Sequence, residues 1–314
     1  MTGRLGFCPY GMALSAAPAR PGRMSRTGWA GQDGRVRSLD ERITTFSRDG
    51  LRFDVTDAGP IGGDVVVLLH GFPTDRTSWD RVASRLHAVG LRTLAPDQRG
   101  YSPAARPEDR DAYRLDELVA DVLALVDASG REQVHLVGHD WGGALAWLVA
   151  GNHPTRIASL TVLSTPHPAA MSRAWRRGNE QRLKSWYMAA LQVPRLPERA
   201  LAAGYDRLMA RCGLPPDDRS RYAAKLAHAD ALAGPINWYR AARHSSVGAH
   251  RVRVPTTYVW GSRDPFLGRT AAELTREHVR GDYEFVELDA GHWLPETRDA
   301  ESAAAILRRV ARAG

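Results

Sequence analysis

The chain predicts an α/β architecture: a mostly parallel sheet flanked by helices, with a helical lid inserted late in the sheet. Three observations carry this. Val65-Val66-Val67-Leu68-Leu69 is an uninterrupted apolar run, the mark of a strand buried on both faces. Residues 133–137, a tight turn, and an Ala/Leu/Trp-rich stretch ending near Pro154 read as strand, turn and helix. From about residue 169 to 247 strand-like runs cease, and then they return.

Taken in order, residues 1–40 are rich in Gly, Pro, Arg and Ser without apolar periodicity, which reads as a disordered basic tail. Residues 11–19 hold only Met12 and Leu14 as strong apolar side chains, a poor signal-peptide core. Met12 and Met24 are alternative starts. Residues 43–46 and 51–55 alternate apolar and polar around Asp49-Gly50, as an antiparallel hairpin does. After the 65–69 strand come a helix over 78–89 and a strand over 91–95. Leu115, Leu118, Val119, Val122 and Val126 share one face of a helix over 113–129. Another strand follows over 157–163. Strands alternating with helices imply parallel pairing with right-handed crossovers.

Beyond Thr165-Pro166-His167-Pro168 only helical patches remain, at 186–191, 199–209, 222–232 and 237–242. Strands at 256–260 and 283–288 and a helix over 301–311 close the chain. The expected domains are a tail (1–40), a core in two pieces (41–168 and 248–314) and a helical cap (169–247). Such a cap lies over the carboxyl ends of the strands, where parallel sheets place their sites.

With 314 residues, 43% of them hydrophobic, the chain can bury one substantial core. No run approaches the roughly 18 apolar residues of a membrane span. The net charge is +8, of which residues 1–48 hold +5, so the basicity is read as belonging mostly to the tail. No membrane partner is expected for want of such a span, and lacking an aromatic-interleaved basic patch, the body is not expected to bind nucleic acid. Two cysteines, Cys8 and Cys212, make no disulfide framework, and free thiols fit the cytoplasm. A homodimer stays open.

The chemistry centres on Gly138-His139-Asp140-Trp141-Gly142, a G-x-nucleophile-x-G turn with aspartate at its centre. A serine there suits acyl transfer, but an epoxide or alkyl halide would convert it to a dead ether. A carboxylate is ionised at neutral pH, needs no base to attack, and gives an ester that water can cleave. The competing reading is an aspartate that only caps a helix. Hydrolysis of an ester needs a base with an orienting acid. Asp264 and His292 each follow a late strand, in the order nucleophile, acid, histidine. His139 is read as a packing residue. Oxyanion donors are expected at the backbone of Trp141 and, from the His70-Gly71-Phe72-Pro73 loop, of Phe72; that loop also reads as a plain tight turn.

With HGFP (His70 to Pro73), GHDWGG (Gly138 to Gly143), WGSRDP (Trp260 to Pro265) and GHW (Gly291 to Trp293), the chain resembles the epoxide hydrolases of the α/β-hydrolase fold superfamily over residues 43–312. The resemblance implies a cofactor-independent, metal-free enzyme acting on a small apolar epoxide and water through a covalent Asp140 ester. In the cap, Asn237-Trp238-Tyr239-Arg240 resembles the segment carrying one ring-opening tyrosine, and Tyr187 falls where the other would. Opening an epoxide releases an alkoxide, and a phenol is a competent acid for it. Both tyrosines also read as packing residues. Phe72, Trp141, Trp186, Trp238 and Phe266 are the expected substrate-binding walls. A haloalkane or haloacid dehalogenase shares the Asp–His–Asp set, although Phe72 stands where such enzymes often carry Asn. A ligand receptor on the same fold is the third reading.

Overall fold

The computed structural model describes residues 41–313; the expectations for residues 1–40, Cys8 among them, lie outside the described residues. Eight strands form one sheet: β1 (Thr45–Arg48), β2 (Leu51–Ala58), β3 (Val65–Leu69), β4 (Arg92–Pro96), β5 (Val134–His139), β6 (Ile157–Leu163), β7 (Thr256–Gly261) and β8 (Tyr283–Leu288). Their order is β1-β2-β4-β3-β5-β6-β7-β8. β1 pairs antiparallel with β2, and β2 antiparallel with β4; every later pairing is parallel. The hairpin turns at Asp49 and Gly50, both at positive φ.

Helices α1 (Asp80–His87), α2 (Leu115–Ala128) and α3 (Trp141–Asn152) connect the early strands, and α12 (Asp299–Ala311) closes the fold. β3 shows why its run is apolar throughout. Val65, Val67 and Leu69 join the cluster of α2 and α3, whereas Val66 and Leu68 join that of α1 and α12. α3 is buried along almost its whole length, which explains its lack of a polar face.

Between β6 and β7 lie α4 (Pro168–Arg177), α5 (Asn179–Lys184), α6 (Trp186–Ala190), α7 (Leu196–Arg211), α8 (Pro216–Leu226) and α9 (Ala229–Ala241). α4 and α5 were not legible in the sequence. The expected patch at 222–232 instead straddles a break, and the one at 237–242 is the end of α9. Pro235 sits inside α9, so a residue type that ordinarily breaks helices is carried within this one. Polar anchors tie this insertion to the loops below it. Tyr205 donates to the Pro73 carbonyl (2.7 Å) and the Trp238 indole to that of Arg99 (2.9 Å). α10 (Arg269–Leu274) and α11 (Leu294–Thr297) flank β8. Among the described residues, no helix is long and apolar enough to cross a membrane.

Candidate active site

β5 delivers Asp140 to a sharp turn before α3, at φ 52° and ψ −120°. A non-glycine residue at positive φ costs on the order of 1–3 kcal/mol, and surrounding structure must hold it there. The Thr165 hydroxyl donates to the Asp140 carbonyl at 2.7 Å, as does the Ala144 N–H at 3.0 Å. The flanking glycines are required by space. A Cβ on Gly138 would lie 2.3 Å from the Gly142 carbonyl oxygen, and one on Gly142 would lie 2.2 Å from that of Leu69.

The structure brings the three expected polar residues together. His292 Nδ1 lies 2.7 Å from Asp264 Oδ2, and Nε2 faces Asp140 Oδ2 at 3.4 Å. The other oxygen of Asp264 accepts the N–H groups of Phe266 (2.8 Å) and Leu267 (3.0 Å), so this acid is fixed from both sides. Asp264 and His292 are buried. Burial alone would lower the affinity of His292 for its second proton. The charge of Asp264, with hydrogen bonds to Asp140 and Asp264, outweighs that and raises its pKa to about 10. Burial pushes the Asp140 carboxyl up, but His292 and the Phe72 N–H hold it below the usual range. Both directions favour a carboxylate facing an imidazolium.

His139 is buried as expected, and it does more than pack. Its Nε2 donates to the His292 carbonyl at 2.9 Å, which the Ser164 hydroxyl also meets at 2.7 Å. Burial, with the charge of His292, lowers its pKa to about 4, so it is a neutral donor. Ser164, Thr165 and Lys184, whose ammonium reaches the Asp264 carbonyl at 2.5 Å, were missed in the sequence. No motif marks them, because each acts on backbone atoms distant in the chain.

The Phe72 N–H donates to Asp140 Oδ1 at 2.7 Å. Asp140 and His292 open into a cavity of about 910 Å³ that also takes in Phe72, Tyr187, Tyr239 and Phe266. The rings stand edge to face: Phe72 against Tyr239 at 5.2 Å, Tyr187 against Tyr239 at 6.1 Å, and Phe266 against Tyr187 at 5.6 Å and His292 at 5.0 Å. Trp186 lines the cavity from its outer end, 70% exposed. Trp238 and Trp141, expected as walls, are not among the residues that line this cavity. Trp238 is buried with its N–H spent on Arg99, and Trp141 packs its ring edge-on to Tyr239 (4.8 Å) and Trp238 (5.8 Å), so both stand behind the lining. The lining contributed by α7, including Leu201 and Leu208, was also missed, since a helical apolar stripe reads as ordinary core. Cys212 is a free thiol at the edge of this cavity, its pKa raised by burial and by Asp264. Among the described residues, no group of three or more His, Cys, Asp or Glu could hold a metal ion.

Comparison with known proteins fits this geometry. The alpha/beta hydrolase fold family matches residues 64–299. An AB hydrolase superfamily protein, YfhM of Bacillus subtilis, is 36% identical over 80% of this chain and 92% of its own. Epoxide hydrolase A of Mycobacterium tuberculosis is 32% identical over 82% and 94%. The crystal structure of epoxide hydrolase A from Mycobacterium thermoresistibile superposes with a TM-score of 0.75 at 27% identity, covering 85% of this chain and 97% of that one. The chain belongs to the α/β-hydrolase fold family, within its epoxide hydrolase group.

Proposed function

We propose that this enzyme hydrolyses an apolar epoxide to a vicinal diol through an ester on Asp140. The observation that carries the reading is a carboxylate, not a hydroxyl, at the strained turn, facing a cavity that Tyr187 and Tyr239 also line. An oxygen of Asp140 attacks an epoxide carbon and the carbon–oxygen bond breaks. The departing oxygen takes a proton from the tyrosine pair, leaving an ester and a tyrosinate, and the proton of the His292 imidazolium restores the tyrosine through solvent. Neutral His292 then removes a proton from water, which adds to the ester carbonyl carbon. The N–H groups of Phe72 and Trp141 hold the resulting oxyanion; its collapse breaks the ester bond, and the expelled diol oxygen takes the proton of the new carboxyl group, which returns Asp140 to its carboxylate beside the His292 imidazolium.

The pKa of His292 supports this sequence of events. An imidazole that holds its proton up to about pH 10 cannot serve as a base at neutral pH. Esterification removes the charge of Asp140 and its hydrogen bond to His292, two of the causes of the elevation. Alkylation thus readies the base at the moment it is needed, while Asp264 keeps the ring oriented. Residues 169–247 serve as the cap, closing the apolar cavity over Asp140, and 41–168 with 248–314 serve as the core.

Mass spectrometry of trapped protein tests the reading. His292→Gln mixed with an aromatic epoxide is expected to gain one substrate mass on Asp140, because unassisted ester hydrolysis is slower by roughly 10²–10⁴-fold. Asp140→Ala is expected to gain nothing. If His292→Gln stays unmodified with an epoxide the unaltered enzyme consumes, the covalent route is wrong.

A further inference from the structure

Five of the seven large apolar side chains exposed among the described residues fall between Leu183 and Leu208. Leu183 is 71% exposed and Leu196 64%. Leu183, Trp186 and Leu208 line the cavity that holds Asp140 together with Arg207 and Arg211, so part of this patch forms its solvent-exposed wall. Among the described residues, neither arginine has an acidic partner.

The charge is divided sharply. Residues 169–247 carry fourteen Arg and Lys against six Asp and Glu, a net +8 that equals the charge of the whole chain. Residues 41–168 carry −4, residues 248–313 balance, and residues 1–40 carry +4. The reading that put the basicity mostly in the tail is therefore corrected: the cap holds more of it.

An occupant of this face must be anionic and must also receive aliphatic side chains. A second copy meeting cap to cap would set +8 against +8. The chain's own residues 1–40 are repelled in the same way. Nucleic acid would satisfy the arginines but offer Leu183, Leu196 and Leu208 no apolar phase to enter. An anionic bilayer answers both demands, since headgroup phosphates take the guanidinium groups and the interface takes tryptophan and leucine.

We propose that the outer face of the cap docks peripherally on an anionic lipid bilayer. Leu183, Trp186, Leu196 and Leu208 enter the interface, Arg207 and Arg211 meet headgroups, and the cavity opens toward the lipid. The expectation of no membrane partner rested on the lack of a spanning segment, and peripheral contact needs none. Docking does not depend on the reaction proposed above, so the two can fail separately.

Flotation of the full-length chain with phosphatidylcholine vesicles, with and without phosphatidylglycerol, tests this. Binding is expected only with phosphatidylglycerol and should weaken as salt rises. Arg207→Gln/Arg211→Gln is expected to lower the partition coefficient about tenfold or more, since each basic residue at an anionic surface is worth about fivefold. Leu183→Ser/Trp186→Ser should lower it as well, with far-UV dichroism unchanged in both variants. Absence of binding to phosphatidylglycerol vesicles overturns the proposal. So does unchanged binding by both variants, which would assign it to residues 1–40. A concentration-dependent dimer that Leu183→Ser/Trp186→Ser abolishes would give the face to a second copy instead.

Discussion

At the scale of single residues, the strongest test concerns the two phenols. Tyr187 and Tyr239 stand edge to face at the cavity wall, and on the proposed route either phenol can donate the proton when the other is lost. Tyr239→Phe or Tyr187→Phe alone should slow the burst of alkylation while leaving activity. Together they should remove the whole acid contribution, roughly 10²–10⁴-fold, yet spare hydrolysis of an activated ester whose leaving group needs no proton. Equal loss in both reactions would assign the effect to damaged packing. Asp140, Asp264 and His292 were legible because each sits in a short motif at a strand end. The contacts that hold them were not. His139 and Ser164 meet the carbonyl of His292 across 153 and 128 residues of chain, and no local pattern encodes such a meeting.

At the scale of elements, α8 and α11 meet through an acid in an unusual state. Glu296 is buried, accepts from the Tyr222 hydroxyl at 2.9 Å, and lies in the field of Asp218. Burial first, then that charge, raises its pKa from 4.5 to about 7. Between those values the folded chain keeps a proton that the unfolded chain releases, so stability falls as pH rises through this window. Glu296→Gln keeps an acceptor for Tyr222 and removes the titration. It should raise the melting temperature at pH 8, by the equivalent of about 3 kcal/mol at most, since a tenfold change in proton affinity is worth roughly 1.4 kcal/mol. Near pH 4 it should change little. An unaltered pH profile of melting would show that Glu296 titrates as an ordinary carboxylate. Strand β3 was legible because burial on both faces leaves an uninterrupted apolar run; β5 and β7 are buried along their whole length although histidine and threonine interrupt their apolar residues. The helix boundaries inside the insertion were not legible, since α8 is placed by partners such as Arg81 and Glu296 that lie far away in the chain.

At the scale of the whole molecule, one apolar cluster runs from the sheet through α2 and α3 into the cap, taking in Leu201, Tyr205, Tyr222 and Ile236. Core and cap should therefore lose structure together. Melting followed by near-UV and far-UV dichroism is expected to give coincident midpoints. Separated midpoints would show the cap to be an independently unfolding unit. The sequence supported the sheet and the insertion as one architecture; the distribution of charge was present in it too, but summing residues 49–314 together cancels an acidic stretch of the core against a basic cap.

The two oxygens of Asp140 are held unequally, Oδ1 by the Phe72 N–H and Oδ2 beside His292. On the proposed covalent route, with Oδ1 pinned, Oδ2 forms the bond to carbon, and cleavage at the carbonyl sends that atom away inside the diol. Solvent supplies its replacement. In water enriched with heavy oxygen, the first diol from each molecule should be light and the later ones heavy. A peptide spanning Asp140, recovered after many cycles, should carry a single heavy atom; two would mean that the carboxylate rotates between cycles. On that route half of the nucleophile is renewed from water at every turnover, while the other half stays for the life of the protein.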